Sequence, residues 1–242
     1  MRIDINNLTK VYGKKTVVSI DSLKIDDGDF LGLVGNNGAG KTTFFRMIVD
    51  LVKADGGNVS LSYTNEKGVP VIINPAESED WKNYTGAYID EGFLIDFLTP
   101  EEYFHFVANI SGIDDENVRC QMEIFTTFMG GEILGQKKLI RNLSSGNKQK
   151  VGIVAALLAR PQLLILDEPF NFLDPRSQHI LKDLLTEYNH ETNATILLSS
   201  HNLTHTVDIC KRIVLLEHGL IINDLENENG SAAAQIEDYF NK

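Results

Sequence analysis

The spacing of apolar positions changes several times along the chain, and each change marks an element. Ile3 to Leu8 and Thr16 to Ile25 are β-type runs broken by turn residues, which predicts an antiparallel sheet at one edge. Phe30-Leu31-Gly32-Leu33-Val34 is a short continuous apolar run. A Gly-rich loop follows, and Thr42 to Leu51 then repeats at helical spacing. Leu163 to Leu166 and Thr195 to Leu198 are again continuous, as strands buried on both faces of a parallel sheet require. Arg212 to Leu216 and Leu220 to Ile222 flank His218-Gly219, which predicts a hairpin.

Between about Asp90 and Arg160 β-type runs become scarce and helical spacing takes over, as in Tyr103, Phe106, Val107 and Ile110. Thr99-Pro100-Glu101-Glu102 is a helix start, with Thr99 as cap and Pro100 at the first position. Residues 91–160 therefore read as a helical lobe inserted into an α/β core formed by 1–90 and 161–225. Residues 55–85 are rich in turn formers and predict no definite element. The tail, 226–242, carries Ile236, Tyr239 and Phe240 on one helical face and reads as a short capping helix. No segment repeats, so 1–242 is expected to be one domain with one site.

Bulk properties narrow the classes. The chain has 242 residues, 43% of them hydrophobic, enough to bury a full core. Its formal charge is -12 and it has no run of five basic residues, which argues against a nucleic-acid partner. Met1-Arg2-Ile3-Asp4 does not resemble the start of a signal peptide. The longest apolar run, Val151 to Ala159, is roughly half of what a membrane span needs, so the isolated chain is expected to be soluble. Cys120 and Cys210 fit no metal or redox spacing and read as packed small side chains in a reducing compartment.

The chemistry lies in three segments. Gly35-Asn36-Asn37-Gly38-Ala39-Gly40-Lys41-Thr42 fits GxxxxGK[ST] at every fixed position, between a predicted strand and a predicted helix. Such a loop curls so that the amides of Asn36 to Thr43 and the helix N-terminus cradle anionic oxygens. Lys41 reaches the β- and γ-phosphates, the Thr42 hydroxyl suits Mg²⁺, and Thr43 lies toward the α-phosphate. Leu163-Leu164-Ile165-Leu166-Asp167-Glu168 is an apolar strand ending in two acids. A buried carboxylate needs a cation or a donor, which makes Asp167 a metal ligand and Glu168 the residue to orient or deprotonate water. In the third segment Ser144 or Ser145 caps a helix with an apolar face of Val151, Val154, Ala155 and Leu158, and its N-terminus is a second anion site. With one phosphate cradle already in the chain, this second one suits a nucleotide held by another subunit.

Leu143-Ser144-Ser145-Gly146-Asn147 resembles the LSGGQ signature of the ATP-binding cassette (ABC) ATPases, with Ser145 in place of the first Gly and Asn147 in place of Gln. The resemblance covers nearly the whole chain. It implies a P-loop NTPase core of RecA type, with an antiparallel β edge and an inserted α-helical subdomain. It also implies a head-to-tail homodimer that sandwiches ATP between Lys41, Thr42, Thr43 and Tyr12 of one subunit and Ser144 and Gly146 of the other. In that comparison Tyr12 stacks on adenine. Glu91 falls where the family usually has a metal-touching Gln, so Thr42, Asp167 and Glu91 are the expected Mg²⁺ residues. Asp174, in Phe170-Asn171-Phe172-Leu173-Asp174, resembles the residue linking the two sites of a dimer. His201 resembles the switch histidine that contacts the γ-phosphate, which makes Glu168, His201 and Lys41 the catalytic set.

The resemblance further implies a separate transmembrane permease docked beside Glu91 and Phe93-Leu94-Ile95-Asp96-Phe97, with the ATPase peripheral at the cytoplasmic face of the plasma membrane. Glu91 and the short tail are similar to those of bacterial export ATPases. Two other functions fit the same residues: a soluble ABC ATPase of a cytosolic assembly machine, of the iron–sulfur type, and a nucleotide-dependent binding module without hydrolysis. Glu168 and His201 argue against the latter. His201 and His205 are spaced i, i+4, but Asn202-Leu203-Thr204 lacks the Glu of a zinc helix. His105, His179, His190 and His218 read as surface or packing residues, and Trp81 either packs or borders a partner groove. Asn147-Lys148-Gln149-Lys150 lacks the acid of a guanine-selecting NKxD, which favours adenine.

Overall fold

A computed structural model describes residues 1–65 and 67–240, without side-chain detail at 115, 229 and 237–240. Two sheets form the frame. The strands are β1 (Arg2–Tyr12), β2 (Lys15–Ile25), β3 (Phe30–Val34), β4 (Gly56–Thr64), β5 (Pro70–Ile73), β6 (Thr85–Tyr88), β7 (Leu163–Leu166), β8 (Thr195–Ser200), β9 (Arg212–Glu217) and β10 (Leu220–Glu226). The helices are α1 (Lys41–Ile48), α2 (Pro100–Ile110), α3 (Asp115–Ile124), α4 (Thr126–Met129), α5 (Ser145–Leu157), α6 (Pro175–Thr192), α7 (Leu203–Ile209) and α8 (Ala233–Phe240).

One sheet is four-stranded and antiparallel, in the order β2-β1-β4-β5. The other is six-stranded, in the order β10-β9-β3-β8-β7-β6. All its pairings are parallel except β10 on β9. In parallel strands every C-terminal end reaches the same edge, so the loops after β3, β6, β7 and β8 meet there. Leu163 to Leu166 and Phe30 to Val34 are buried without a break, as strands covered on both faces must be.

The core has two parts. One fills the space between the two sheets around α1 and includes Phe44, Phe45, Leu31, Leu33 and Trp81. The other joins the opposite face of the parallel sheet to the helical segments and includes Phe104, Phe128, Val151, Val154 and Leu181. Trp81 is thus a packing residue. Ile236 of α8 is buried in the second core; the remainder of the expected tail face, Tyr239 and Phe240, lies outside the described side chains.

Several expectations are corrected. The first helix stops at Ile48 rather than Leu51, because Asp50 turns left-handed (φ 48°) and the amides of Leu51 and Val52 fold back onto the Arg46 carbonyl. Residues 55–85 hold β4, β5 and the start of β6. β4 buries only Val59 and Leu61, too few for the alternation to stand out. In α2 the buried positions are Pro100, Phe104 and Ala108, whereas Phe106 and Ile110 are exposed. α5 has no single apolar face: every residue from Gln149 to Leu157 is buried, since the helix lies between the sheet and the other helices. Cys210 is buried as expected, but Cys120 is exposed. His179 pairs with Asp183 at 3.5 Å, and His218 forms the turn between β9 and β10 with φ 49°. The start of α2 matches its sequence: Thr99 caps it in a reciprocal box with Glu102.

Candidate nucleotide site at the edge of the parallel sheet

The loop after β3 and the start of α1 are shaped by glycine and held from outside. Gly40 has φ 110°, and a Cβ there would lie 2.5 Å from the Val17 carbonyl; at Gly35 it would lie 2.2 Å from the Leu216 carbonyl. The loop is also tied to the β9–β10 turn, where the Gly219 amide donates to the Ala39 carbonyl at 2.8 Å. α1 has no side-chain cap, so its first amides remain available to an anion. Asn36, Asn37 and Gly38 are exposed at the tip, whereas Ala39, Gly40 and Lys41 are buried beneath it. Lys41 Nζ donates to the Gly35 carbonyl at 2.6 Å and to the Asn36 carbonyl at 3.4 Å, and lies 3.4 Å from Glu168 Oε1. Its ammonium is thus held above the loop, where phosphate oxygens would compete for it.

Asp167 is buried, and its two oxygens are both engaged. Thr42 Oγ1 donates to one at 2.5 Å, and Ser199 Oγ donates to the other. Burial pushes the carboxyl above its ordinary value. The Ser199 and Thr42 hydroxyls pull it back, Glu168 adds to the rise, and Lys41 opposes it. A buried acid flanked by hydroxyls fits a hard cation, which prefers oxygen donors and often takes one protein carboxylate plus phosphate oxygens. Among the described residues no group of three or more His, Cys, Asp or Glu could hold a metal by itself. Glu91 forms an ion pair with Lys148 at 3.3 Å.

Glu168 occupies the left-handed region (φ 48°), an unfavourable conformation for a residue with a Cβ. It is held there by hydrogen bonds: its amide donates to Ser199 Oγ at 2.9 Å, and its carbonyl accepts from Gln149 Nε2 at 3.1 Å. Its carboxylate then meets Lys41 through Oε1 and His201 through Oε2, at 2.8 Å from Nδ1. The structure therefore brings together Lys41, Thr42, Asp167, Glu168 and His201. It adds Ser199 and Gln149, which sequence reasoning missed. Their only signals were that Ser199 stands two positions before His201 and that Gln149 follows the signature segment.

Ser144 and Gly146 belong to a different surface. Ser144 caps α5, accepting from the Asn147 amide at 3.3 Å. A Cβ on Gly146 would lie 2.6 Å from the Phe172 carbonyl, so glycine lets this turn sit against the loop after β7. Ser144, Gly146, Lys150, Phe172 and Arg176 line an open cleft of about 770 Å³. Asp174 caps α6 through Ser177, whose hydroxyl and amide hold its carboxyl below the ordinary range. Tyr12 is exposed at the tip of the β1–β2 hairpin, with the Lys10 ammonium 5.5 Å from its ring centre.

A separate groove of about 730 Å³ opens beside β6. Tyr88, Phe93, Leu94, Tyr103, Val107 and Ile110 are among its lining residues. Phe97 is exposed outside it. No helix among the described residues is long and apolar enough to cross a membrane.

A phosphate loop and an acid pair on a parallel sheet, with a helical segment between β6 and β7, define a cassette-type P-loop ATPase. The profile of the family described as "ABC transporter" matches residues 18–171. The chain is 34% identical over 224 residues to the bacitracin transport ATP-binding protein BcrA of Enterococcus faecalis, covering 92% of this chain and 68% of that protein. Among solved structures it resembles an ATP binding subunit of an ABC transporter, with a TM-score of 0.81, 27% identity and coverage of 98% of this chain and 94% of that one. A dimeric ATP-binding cassette described in a post-hydrolysis state with ADP and Pi shares the fold, with a TM-score of 0.80 at 22% identity, over 93% of this chain and 99% of that one. The chain belongs to the ABC transporter ATP-binding family.

Proposed function

We propose that this chain is the ATP-hydrolysing subunit of an ABC transporter, working as a homodimer that closes on ATP and drives a separate transmembrane permease, in the direction of export. The observation that carries the catalytic part is the convergence of Lys41 and His201 on the two oxygens of Glu168. A general base must be held within reach of its proton and aimed, and Glu168 is fixed through its amide, its carbonyl and its carboxylate.

In this reading Lys41 and the amides of residues 36–43 bind the phosphates, and Tyr12 offers its exposed ring to the adenine. Thr42 and Asp167 would hold Mg²⁺, with Glu91 near it; the ion, when bound, would neutralise charge on the phosphate oxygens. Glu168 takes the proton from water attacking the γ-phosphorus in line, and His201 fixes Glu168 and the γ-phosphate. Lys41 and the loop amides stabilise the developing charge. Ser144 and Gly146 lie on a cleft of their own and act on the nucleotide of the partner subunit. Residues 1–90 and 161–225 serve as the core, 91–160 as the lobe that swings on closure, and 226–242 as a cap.

The groove beside β6 is the permease dock, and the subunit would lie at the cytoplasmic face of the plasma membrane. Export is supported by Glu91 at the sensor position, a residue similar to that of bacterial export ATPases. The test is to isolate tagged Glu168→Gln protein from detergent-solubilised membranes with ATP present. Recovery of a polytopic membrane protein, lost in Phe93→Asp, supports the reading. Recovery with soluble partners alone overturns it in favour of a cytosolic assembly ATPase.

A further inference from the structure

Asp90 and Glu91 are consecutive, and each is paired with a base on a different helix. Arg46, on the helix that begins with Lys41 and Thr42, meets Asp90 Oδ2 at 2.6 Å. Lys148, in the N-terminal part of α5, meets Glu91 Oε2 at 3.3 Å. The two acids lie between these bases, one on each. They follow β6, which pairs with β7 in the central sheet, and the other oxygen of Asp90 accepts from the Gly92 amide at 2.8 Å. Phe93 and Leu94 of the groove come next in the chain. One short segment thus touches the phosphate-loop helix, the helix capped by Ser144 and the wall of the groove.

We propose that Arg46 and Lys148 are positioning residues. Through Asp90 and Glu91 they form an electrostatic clamp that sets the orientation of α2–α5 on the sheet. α2 and α4 both pack on α5, so fixing the first turns of α5 fixes the lobe. Both pairs are partly exposed, with side-chain accessibilities of 24% for Lys148 and 61% for Glu91. A pair in that setting is weak enough to be made and broken repeatedly. Arg46 Nε is buried with no partner among the described residues, and the guanidinium meets Asp90 through Nη2. The consequence for catalysis, that the clamp governs how Ser144 and Gly146 meet the partner's nucleotide, rests on the sandwich reading above. The clamp itself does not.

The chain carries its own probes. Trp81 is its single tryptophan and is packed in the core. Cys120 is exposed on α3, while Cys210 is buried with its thiol pushed up by burial, so a thiol reagent attaches at Cys120. Energy transfer from Trp81 to a fluorophore on Cys120 reports the placement of the lobe on the core without nucleotide, partner or turnover. Lys148→Met and Glu91→Gln should each shift and broaden the transfer distribution, and the two together should shift it no further than either alone. Lys148→Arg should keep the parent value, and the charge-swapped pair Glu91→Lys with Lys148→Glu should return to it. Unchanged transfer in Lys148→Met, additive shifts, or a charge-swapped protein that stays displaced would each overturn the clamp. Absence of ATPase activity or of permease binding in the parent chain, with the transfer shifts as expected, would count against the proposed function and leave the clamp standing.

Discussion

His201 Nδ1 and Glu168 Oε2 lie 2.8 Å apart, and the amide of His201 also points to that oxygen at 3.3 Å. The histidine after β8 thus holds the acid after β7 through both ring and backbone. Lys41 holds the other oxygen.

Glu168→Gln keeps the shape of this arrangement and removes the base. Steady-state ATPase activity should fall by about 10²- to 10⁴-fold, the range for a positioned acid–base group. Nucleotide binding, measured by calorimetry, should persist. A variant with near-parental turnover would remove Glu168 from the mechanism.

Asp167→Asn should separate stability from activity. Burial raises the Asp167 carboxyl above 3.8, so the folded protein favours its protonated form. That contribution to stability is present in acid and is lost as pH rises through the raised value. Asn should therefore unfold at a higher temperature than Asp near neutrality in the absence of nucleotide. The gain should vanish in acid, and ATPase activity should be lost at every pH. Unfolding scans across pH check the crossover.

His205 gives a dependence of the opposite sign. Burial lowers its value from 6.5, Lys182 and His201 add to the fall, and Asp208 and Glu168 oppose it. Its ring stacks on Phe170 with centroids 4.6 Å apart, and Nδ1 is buried without a partner among the described residues. The neutral form is the stable one, so its contribution is full above 6.5 and is lost as pH falls through the lowered value. His205→Phe keeps the stacking and cannot titrate. Its melting temperature should fall less between pH 7 and pH 5 than that of the parent.

Gly152→Ala probes how α5 meets the sheet. A Cβ at Gly152 would lie 2.1 Å from the Tyr88 ring, which lines the groove. Overpacking of this kind costs about 1–3 kcal/mol. Urea unfolding should show that loss, and Tyr88→Leu in the same chain should recover part of it by making room.

Much of the site was legible because its residues are tied to backbone geometry. The Gly35–Thr42 spacing is needed to curl a loop, and an apolar run ending in Asp167-Glu168 is needed to bring acids to the edge of a buried sheet. Other features depend on distant neighbours. β4 buries only Val59 and Leu61, and in β5 the apolar Ile72 is exposed beside buried Ile73, so neither strand's alternation stands out in the sequence. α5 has polar residues in its first turns yet is buried from Gln149 onward, because helices cover the side away from the sheet. Ser199 is indistinguishable in sequence from its neighbour Ser200. Only the pleat of β8 sends its hydroxyl to Asp167, while Ser200 bonds to Asn202. The Lys148–Glu91 pair joins segments far apart in sequence and leaves no local pattern.

The bond from Gly219 to Ala39 bears on synthesis as well as on structure. The phosphate loop is translated well before the turn that braces it, since Ala39 precedes Gly219 by most of the two sheets. On the ribosome the loop must wait for β9 and β10 to emerge before it takes its final shape. Nascent chains stalled before Gly219 should therefore bind ATP-agarose poorly, and those released just beyond Glu226 should bind well. ATP would then recognise only a chain whose β9 and β10 are in place, so that shorter nascent chains are spared premature pairing.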